Sequence, residues 1–186
     1  DFSAAVFESD TNFYRARVEG RSNFADTRFN GQLRFDEVVF EDDFDFTNAI
    51  VKEDAGFHAT EFRGGAKTTD DADFVGAVFE SETDFGEAEF RYGNFEDAVF
   101  NKGATFRRSE FDRGADFSSA EFRGSVDFYR SNFEGASQFE AVEFVDDVKF
   151  AEGFFDDDMN FADATFEAKA NFHGAEFRGG SKNKDD

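Results

Sequence analysis

Phenylalanine recurs along this chain at alternating separations of five and six residues, and polar residues fill most positions between. The second half reads GADFSSAEFRG, SVDFYRSNFEG, ASQFEAVEFVD, DVKFAEGFFDD, DMNFADATFEA, KANFHGAEFRG, a period of 11. Carried back to the start, the register runs Phe2, Phe7, Phe13, Val18, Phe24 and Phe29, passes through Val51 and Thr68, and reaches Phe177. It has 33 sites, 30 of them Phe; only Phe44 and Phe154 fall outside it. Two residues before most sites the side chain is small, as at Ala16, Ala49, Ala88, Ala120 and Ala175. Residues two apart on a strand share a face. Each unit therefore sends one small and one large side chain inward and then turns a corner.

A period of 11 also suits a right-handed helical supercoil. On a helix, however, Phe residues five apart are separated by about 140° and leave no apolar stripe. Gly20, Gly31, Gly64, Gly114, Gly124 and Gly135 recur in the six-residue links, and each would cost about 1 kcal/mol in a helix interior. The helical reading fails. The same glycines are expected to absorb the extra residue, some with positive φ, and Asp42, Asp146 and Asp157 hold equivalent links. Asn or Asp often precedes the first Phe of a pair (Asn12, Asn23, Asp73, Asp84, Asp116, Asp127, Asn160, Asn171), whereas Val, Glu or Thr mostly precedes the second. Two alternating kinds of side are expected.

The run of small–polar–Phe–x–x units resembles the pentapeptide-repeat family in its Phe-centred form, over roughly residues 1–180. The resemblance implies an all-β, right-handed, four-sided β-helix with four units per coil and a Phe-stacked core. Because every second link carries an extra residue, a coil takes about 22 residues and the 33 sites make about eight coils. At about 4.8 Å between strands the rod is about 40 Å long. Stacking every fourth site predicts a core ladder of Phe2, Phe24, Phe46, Thr68, Phe90, Phe111, Phe133, Phe155 and Phe177. A loosened patch is expected around residues 64–74, and a polar tail over 181–186.

Composition narrows the chemistry. The 32 Phe are accompanied by one Leu, one Ile, one Met and no Pro, Cys or Trp. A core drawn from Phe and Ala solves one small packing problem many times. Without Cys there is no disulfide, thiolate zinc site or cysteine nucleophile. No apolar run approaches the roughly 18 residues of a membrane helix. The formal charge of −23, from 43 acidic against 20 basic residues, repels phosphate and anionic lipid, so direct nucleic-acid binding is not expected. Arg outnumbers Lys 13 to 7. Such a composition suits molar salt, where the Debye length is about 3 Å, in a cytoplasmic or extracellular setting of a high-salt organism.

The only histidines, His58 and His173, each follow a Phe, face solvent and lie about 24 Å apart, too far to share a metal or a proton. No Ser–His–Asp set and no phosphate-binding loop can be assembled. A non-enzyme without cofactor is expected. Asp42, Asp43, Asp156, Asp157 and Asp158 are weak candidates for Ca²⁺, a solvated face being the simpler reading. Arg17, Arg21, Arg63, Arg107, Arg108, Arg130 and Lys149 gather around one expected column, either as a docking stripe or, more simply, as partners of acids in adjacent coils. No polar cap precedes Phe2 or follows Phe177, so open edges could pair end to end with a second copy. The leading expectation is a non-catalytic structural or protein-interaction rod. Alternatives are a head-to-tail filament and, implied by the family resemblance, a DNA-mimicking inhibitor or protector of a type II topoisomerase.

Overall fold

The computed structural model describes residues 1–65 and 71–179, and within them the chain winds through four parallel sheets. Each coil contributes one two-residue strand to each sheet in turn. Sheet 1 runs from Val6–Phe7 to Thr165–Phe166, sheet 2 from Thr11–Asn12 to Ala170–Asn171, and sheet 3 from Arg17–Val18 to Glu176–Phe177. Sheet 4 runs from Ser22–Asn23 to Met159–Asn160. There is no helix among the described residues. The result is a four-sided β-solenoid of eight coils.

The inward Phe rings form four columns. Within a column they stack nearly parallel: Phe106 lies 4.9 Å from Phe85 at 8° and 4.9 Å from Phe128 at 11°. Between sheets 2 and 4 they meet edge to face, Phe106 lying 5.5 Å from Phe95 at 89° and 5.5 Å from Phe117 at 90°. Both arrangements avoid the face-to-face sandwich that the ring quadrupole disfavours. Between residues 22 and 153 the residue two before each inward Phe of the register is also buried, Ala49, Ala72, Ala88 and Ala120 completely. Where that position is polar, Thr60 donates to the Phe35 carbonyl (2.8 Å) and Ser131 to the Phe128 carbonyl (2.6 Å), whereas the Ser22 hydroxyl is buried without a hydrogen-bond partner.

The two kinds of side differ at their corners. Each five-residue link is a tight turn in which the N–H of the third residue after a Phe donates to that Phe carbonyl, as from Ala16 to Phe13 (2.8 Å). The second residue after that Phe is left-handed. Fourteen non-glycine residues hold φ between 51° and 59° in this way, among them Arg15, Glu37, Arg108 and Arg130. A left-handed L-residue costs about 1–2 kcal/mol. Two further hydrogen bonds, each worth about 1 kcal/mol net, offset that cost. Arg15 N–H donates to the Asp36 carbonyl of the next coil (3.1 Å), and Tyr14 N–H donates to Asn12 Oδ1 (2.8 Å). Asn23, Asp73, Asp84, Asp116, Asp127, Asn160 and Asn171 cap their corners as Asn12 does. This is why Asn and Asp favour the position before the first Phe of each pair.

The six-residue links use glycine in two ways, one of them the positive φ expected of some. Of the six glycines named from the sequence, only Gly64 (φ 64°) and Gly114 (φ 89°) are left-handed. Gly31, Gly124 and Gly135 are required by close approach instead. A Cβ on Gly124 would lie 2.7 Å from Gly103 N, and one on Gly31 would lie 2.6 Å from the Ser9 carbonyl carbon. Asp42, Asp146 and Asp157 solve the same bend differently, each accepting the N–H of the residue that follows it (2.8–2.9 Å).

The expected core ladder is corrected beyond Phe46. Strand pairing sets Ala72 beside Phe44 and Phe62 beside Phe90, so Phe46 is followed in its column by Phe74 (5.6 Å) and then Phe95 (4.8 Å). Phe90, Phe111, Phe133, Phe155 and Phe177 belong to the column of Val18, Phe40 and Phe62 in sheet 3. Thr68 itself lies outside the described residues. The cause is chain length: Phe62 and Ala72 are separated by one link more than their counterparts in the other coils, and counting residues takes that extra length for a site. On the far side the coil closes normally: Phe44 N–H donates to the Asp71 carbonyl, and Ala72 and Phe74 are fully buried. Within the patch 64–74 expected to be loosened, residues 72–74 are paired and buried, and 66–70 lie outside the described residues.

Phe44, outside the register, is nonetheless buried. It takes an inward small-residue position between Ser22 and Ala72 and lies 4.5 Å from the Phe40 ring. Phe154 points outward from sheet 3, 39% exposed, with the Arg178 guanidinium over its ring.

Candidate functional site

The basic residues expected on one column divide between two sheets, because the extra length of chain between Phe62 and Ala72 shifts every later residue by one column. Arg17 and Arg63 lie on sheet 3 and meet at Glu41, Arg63 at 2.8 Å; Arg63 also pairs with Glu61 (2.6 Å). Arg21 pairs with Asp45 (3.3 Å) at the next corner. Arg107, Arg108, Arg130 and Lys149 lie on sheet 2 and the corner that leaves it. Arg107 and Lys149 share Asp127 (2.9 and 3.8 Å), Arg108 pairs with Glu87 (3.1 Å) and Arg130 with Glu152 (2.7 Å). All seven are thus engaged by acids, most of them in adjacent coils.

Two clusters lie on the same corner: the sequence groups Tyr129 with Arg107, Arg130 and Lys149, but not Tyr14 with Arg15 and Arg34. Tyr129 is ringed by Arg107 (4.9 Å), Arg130 (5.0 Å) and Lys149 (4.1 Å), and its hydroxyl donates to Glu152 (3.1 Å). Five coils earlier Tyr14 lies under Arg15 (4.8 Å) and Arg34 (4.7 Å), with its hydroxyl donating to Glu37 (3.0 Å). Each arginine holds its glutamate partner below the usual carboxylate range, chiefly by hydrogen bonding. The available signal was the tripeptide Phe-Tyr-Arg, at 13–15 and again at 128–130.

Between these clusters sheet 2 is hollowed into a groove of about 530 Å³. Gly56, Gly103 and Thr105 lie along its floor, and the Asp36 and Glu82 carboxylates fold over the two glycines. Asp54, Glu82 and Ser125 line one side, and Asp36, Asp84, Arg107 and Asp127 the other.

Sheet 3 carries a like-charge ladder in which Glu61, Glu89 and Glu110 face outward in register. Although the Glu89 side chain reaches solvent, partial burial against the sheet pushes its carboxyl above the usual range, and Glu61, Glu110 and Asp112 push it further. The folded chain therefore binds this proton more tightly than the unfolded chain. Ionised Glu89 works against folding near neutrality, and the penalty vanishes once the pH falls below the ordinary carboxylate pKa and both states are protonated. Glu89→Gln is expected to raise the urea midpoint at pH 7. The advantage should shrink toward about pH 4; an advantage that does not shrink contradicts this origin.

The remaining candidates do not converge. Asp42 and Asp157 accept backbone N–H groups, Asp43 accepts Gly65 N–H (2.8 Å), and Asp156 pairs with Arg178 (3.0 Å). Asp158 donates its N–H to Asp157. Among the described residues no three His, Cys, Asp or Glu side chains could hold a metal ion. His58 lies 3.8 Å from Asp84, five coils from His173. No described helix is long and apolar enough to cross a membrane.

A family model for pentapeptide repeats (9 copies) matches residues 1–39, 69–110 and 95–143. The gap between matches, 40–68, contains Phe44, Val51 and Thr68, where the sequence repeat is least regular. No curated protein and no solved structure matches the chain. With more than half its length matched, and with four units stacked per coil throughout, the chain belongs to the pentapeptide-repeat family.

Proposed function

We propose that this chain is a non-catalytic protein-interaction scaffold, a rigid acidic rod suited to molar salt. The observation that supports it best is the division of labour along each strand. Inward positions are spent on a repeating Phe and small-residue core, while outward positions vary freely from coil to coil at a fixed spacing of about 4.8 Å. Such a frame presents side chains without ordering cost on binding. Crosslinking with the intact protein in extracts of its source cells tests this, using versions with the outward residues of one sheet replaced at a time. Loss of one partner with one sheet, and its retention with the other three, is expected. Recovery that tracks only net charge would defeat the reading.

Suitability for high salt follows from the imbalance of 43 acids against 20 bases, which leaves more than half the acids without a cation even if every base is paired. Screening weakens both ion pairs and repulsions, and repulsions are the larger set. Thermal midpoints are expected to rise between about 0.1 M and 2 M KCl, as the Debye length falls from about 10 Å to about 3 Å or less. A fall would remove the proposal.

A second reading, mimicry of duplex DNA at a type II topoisomerase, is favoured by one quantity. Eight coils span about 38 Å, so a net charge of −23 amounts to about one charge per 1.7 Å, the axial charge spacing of B-DNA. A gyrase supercoiling assay tests it, and normal supercoiling at micromolar protein would dismiss it.

A further inference from the structure

The outward ladder of sheet 1 differs in chemistry from the other three. From the second coil to the sixth it reads Arg28, Ile50, Val78, Val99 and Glu121, neighbours in the strand pairing at about 4.8 Å per step. Its three aliphatic side chains are only half-buried. On no other sheet do two aliphatic side chains stand together on the outward ladder among the described residues. Across these five coils, from each left-handed corner residue to the residue after the inward side chain, the face holds three bases and four acids. The whole chain holds 20 bases against 43 acids, so this face is close to neutral on an acidic rod.

The order of the ladder is self-complementary. Arg28 stands two steps to one side of Val78, and Glu121 two steps to the other. A second copy turned end for end about an axis through Val78 sets Ile50 against its Val99 and Arg28 against its Glu121, and the contact repeats from the other side. A parallel second copy would set Arg28 against Arg28 and Glu121 against Glu121, which like-charge repulsion disfavours. Arg28 makes no ion pair among the described residues, nor does Lys52 on the same face. Glu121 holds Arg123 (2.6 Å) and has room for a second cation, as Glu41 has between Arg17 and Arg63. At the axis the two Glu80 side chains would meet with a Lys52 on either side, one step away in register.

We propose that sheet 1 is a self-association face through which two copies of this chain pack antiparallel as a closed dimer, with Val78 at the two-fold axis. This goes beyond the scaffold reading and stands without it, since pairing covers sheet 1 and leaves the other three sheets open. The aliphatic ladder supplies the attraction, and the charges at its ends set the direction. The contact is four steps long, about 19 Å, smaller than a permanent interface, so the dimer is weak and depends on concentration. Two chains of charge −23 repel each other. They therefore pair in molar salt, where the Debye length is about 3 Å, and separate in dilute buffer.

Analytical ultracentrifugation of the intact protein tests this. In about 2 M KCl the sedimentation coefficient is expected to rise toward the dimer value between about 10 μM and about 1 mM protein, and in about 0.1 M KCl to stay at the monomer value. Val78→Glu is expected to abolish the rise; the same ladder already carries Glu121 and Glu143, so the fold accepts it. Arg113→Glu, in the link that leaves sheet 3 on the opposite side, makes a larger change in net charge and should alter the dimer by less than about twofold. Arg28→Glu should weaken it about fivefold, and adding Glu121→Arg should restore it. Direction is read from nitroxides on Thr165→Cys, in a chain with no other thiol. Antiparallel copies place the two labels about 40 Å apart, and parallel copies about 10 Å. A monomer at every concentration in 2 M KCl, equal weakening by Val78→Glu and Arg113→Glu, no rescue by Glu121→Arg, or labels about 10 Å apart would each overturn the proposal.

Discussion

Replacing Phe106 with alanine is expected to destabilise the fold by about 4 kcal/mol, the upper part of the range for truncating a buried aromatic. Phe106 is completely buried in the fifth coil, stacked between Phe85 and Phe128 and met edge-on by Phe95 and Phe117. The cavity cannot be refilled from the sides, because those neighbours are fixed by their own stacks above and below. Phe177→Ala, 53% exposed in the last coil, should cost about 1 kcal/mol or less by the same reasoning. Guanidinium denaturation of the two variants checks the contrast. Similar losses would mean that the stack contributes little beyond area.

The second large effect comes from adding a single methyl group. A Cβ on Gly135 would overlap the Arg113 carbonyl and lie 2.7 Å from Gly114 N, backbone atoms of the preceding coil that cannot swing away. Overpacking of this kind costs about 1–3 kcal/mol, against a gain below about 1 kcal/mol from a stiffer unfolded chain. Gly135→Ala is expected to lose about 2 kcal/mol on balance. Gly20 holds the equivalent link in the first coil with nothing within 4 Å of its would-be Cβ. Gly20→Ala should be neutral or slightly stabilising in this chain. Melting curves of the pair separate the two effects, and equal shifts would show that close approach is not what selects glycine.

These contrasts mark what periodicity could and could not reveal. Phe at five and six residues is legible because one packing problem recurs without variation, and Asp or Asn before alternate Phe is legible because one of the two corners needs a cap. Thr68 misled because extra chain as long as one link preserves the count while moving everything after it by one column. The basic stripe failed for the same reason: Arg63 and Arg107 are in phase by residue number but sit on adjacent sheets. The groove was invisible because it is lined mainly by acids, which are common everywhere in this sequence. A sequence in which 43 of 186 residues are acidic offers no contrast by which particular ones stand out.

The parallel strand pairing has a mechanical consequence. Each hydrogen bond between coils points roughly along the rod, so a pull on the two ends loads the bonds of a terminal coil a few at a time, as in opening a zipper. Releasing one 22-residue coil frees about 75 Å of slack chain while shortening the rod by about 5 Å. A molecule built this way resists bending and crushing through its aromatic stack. Under tension it yields in equal, countable steps, each leaving a fresh strand edge identical in kind to the one it replaced.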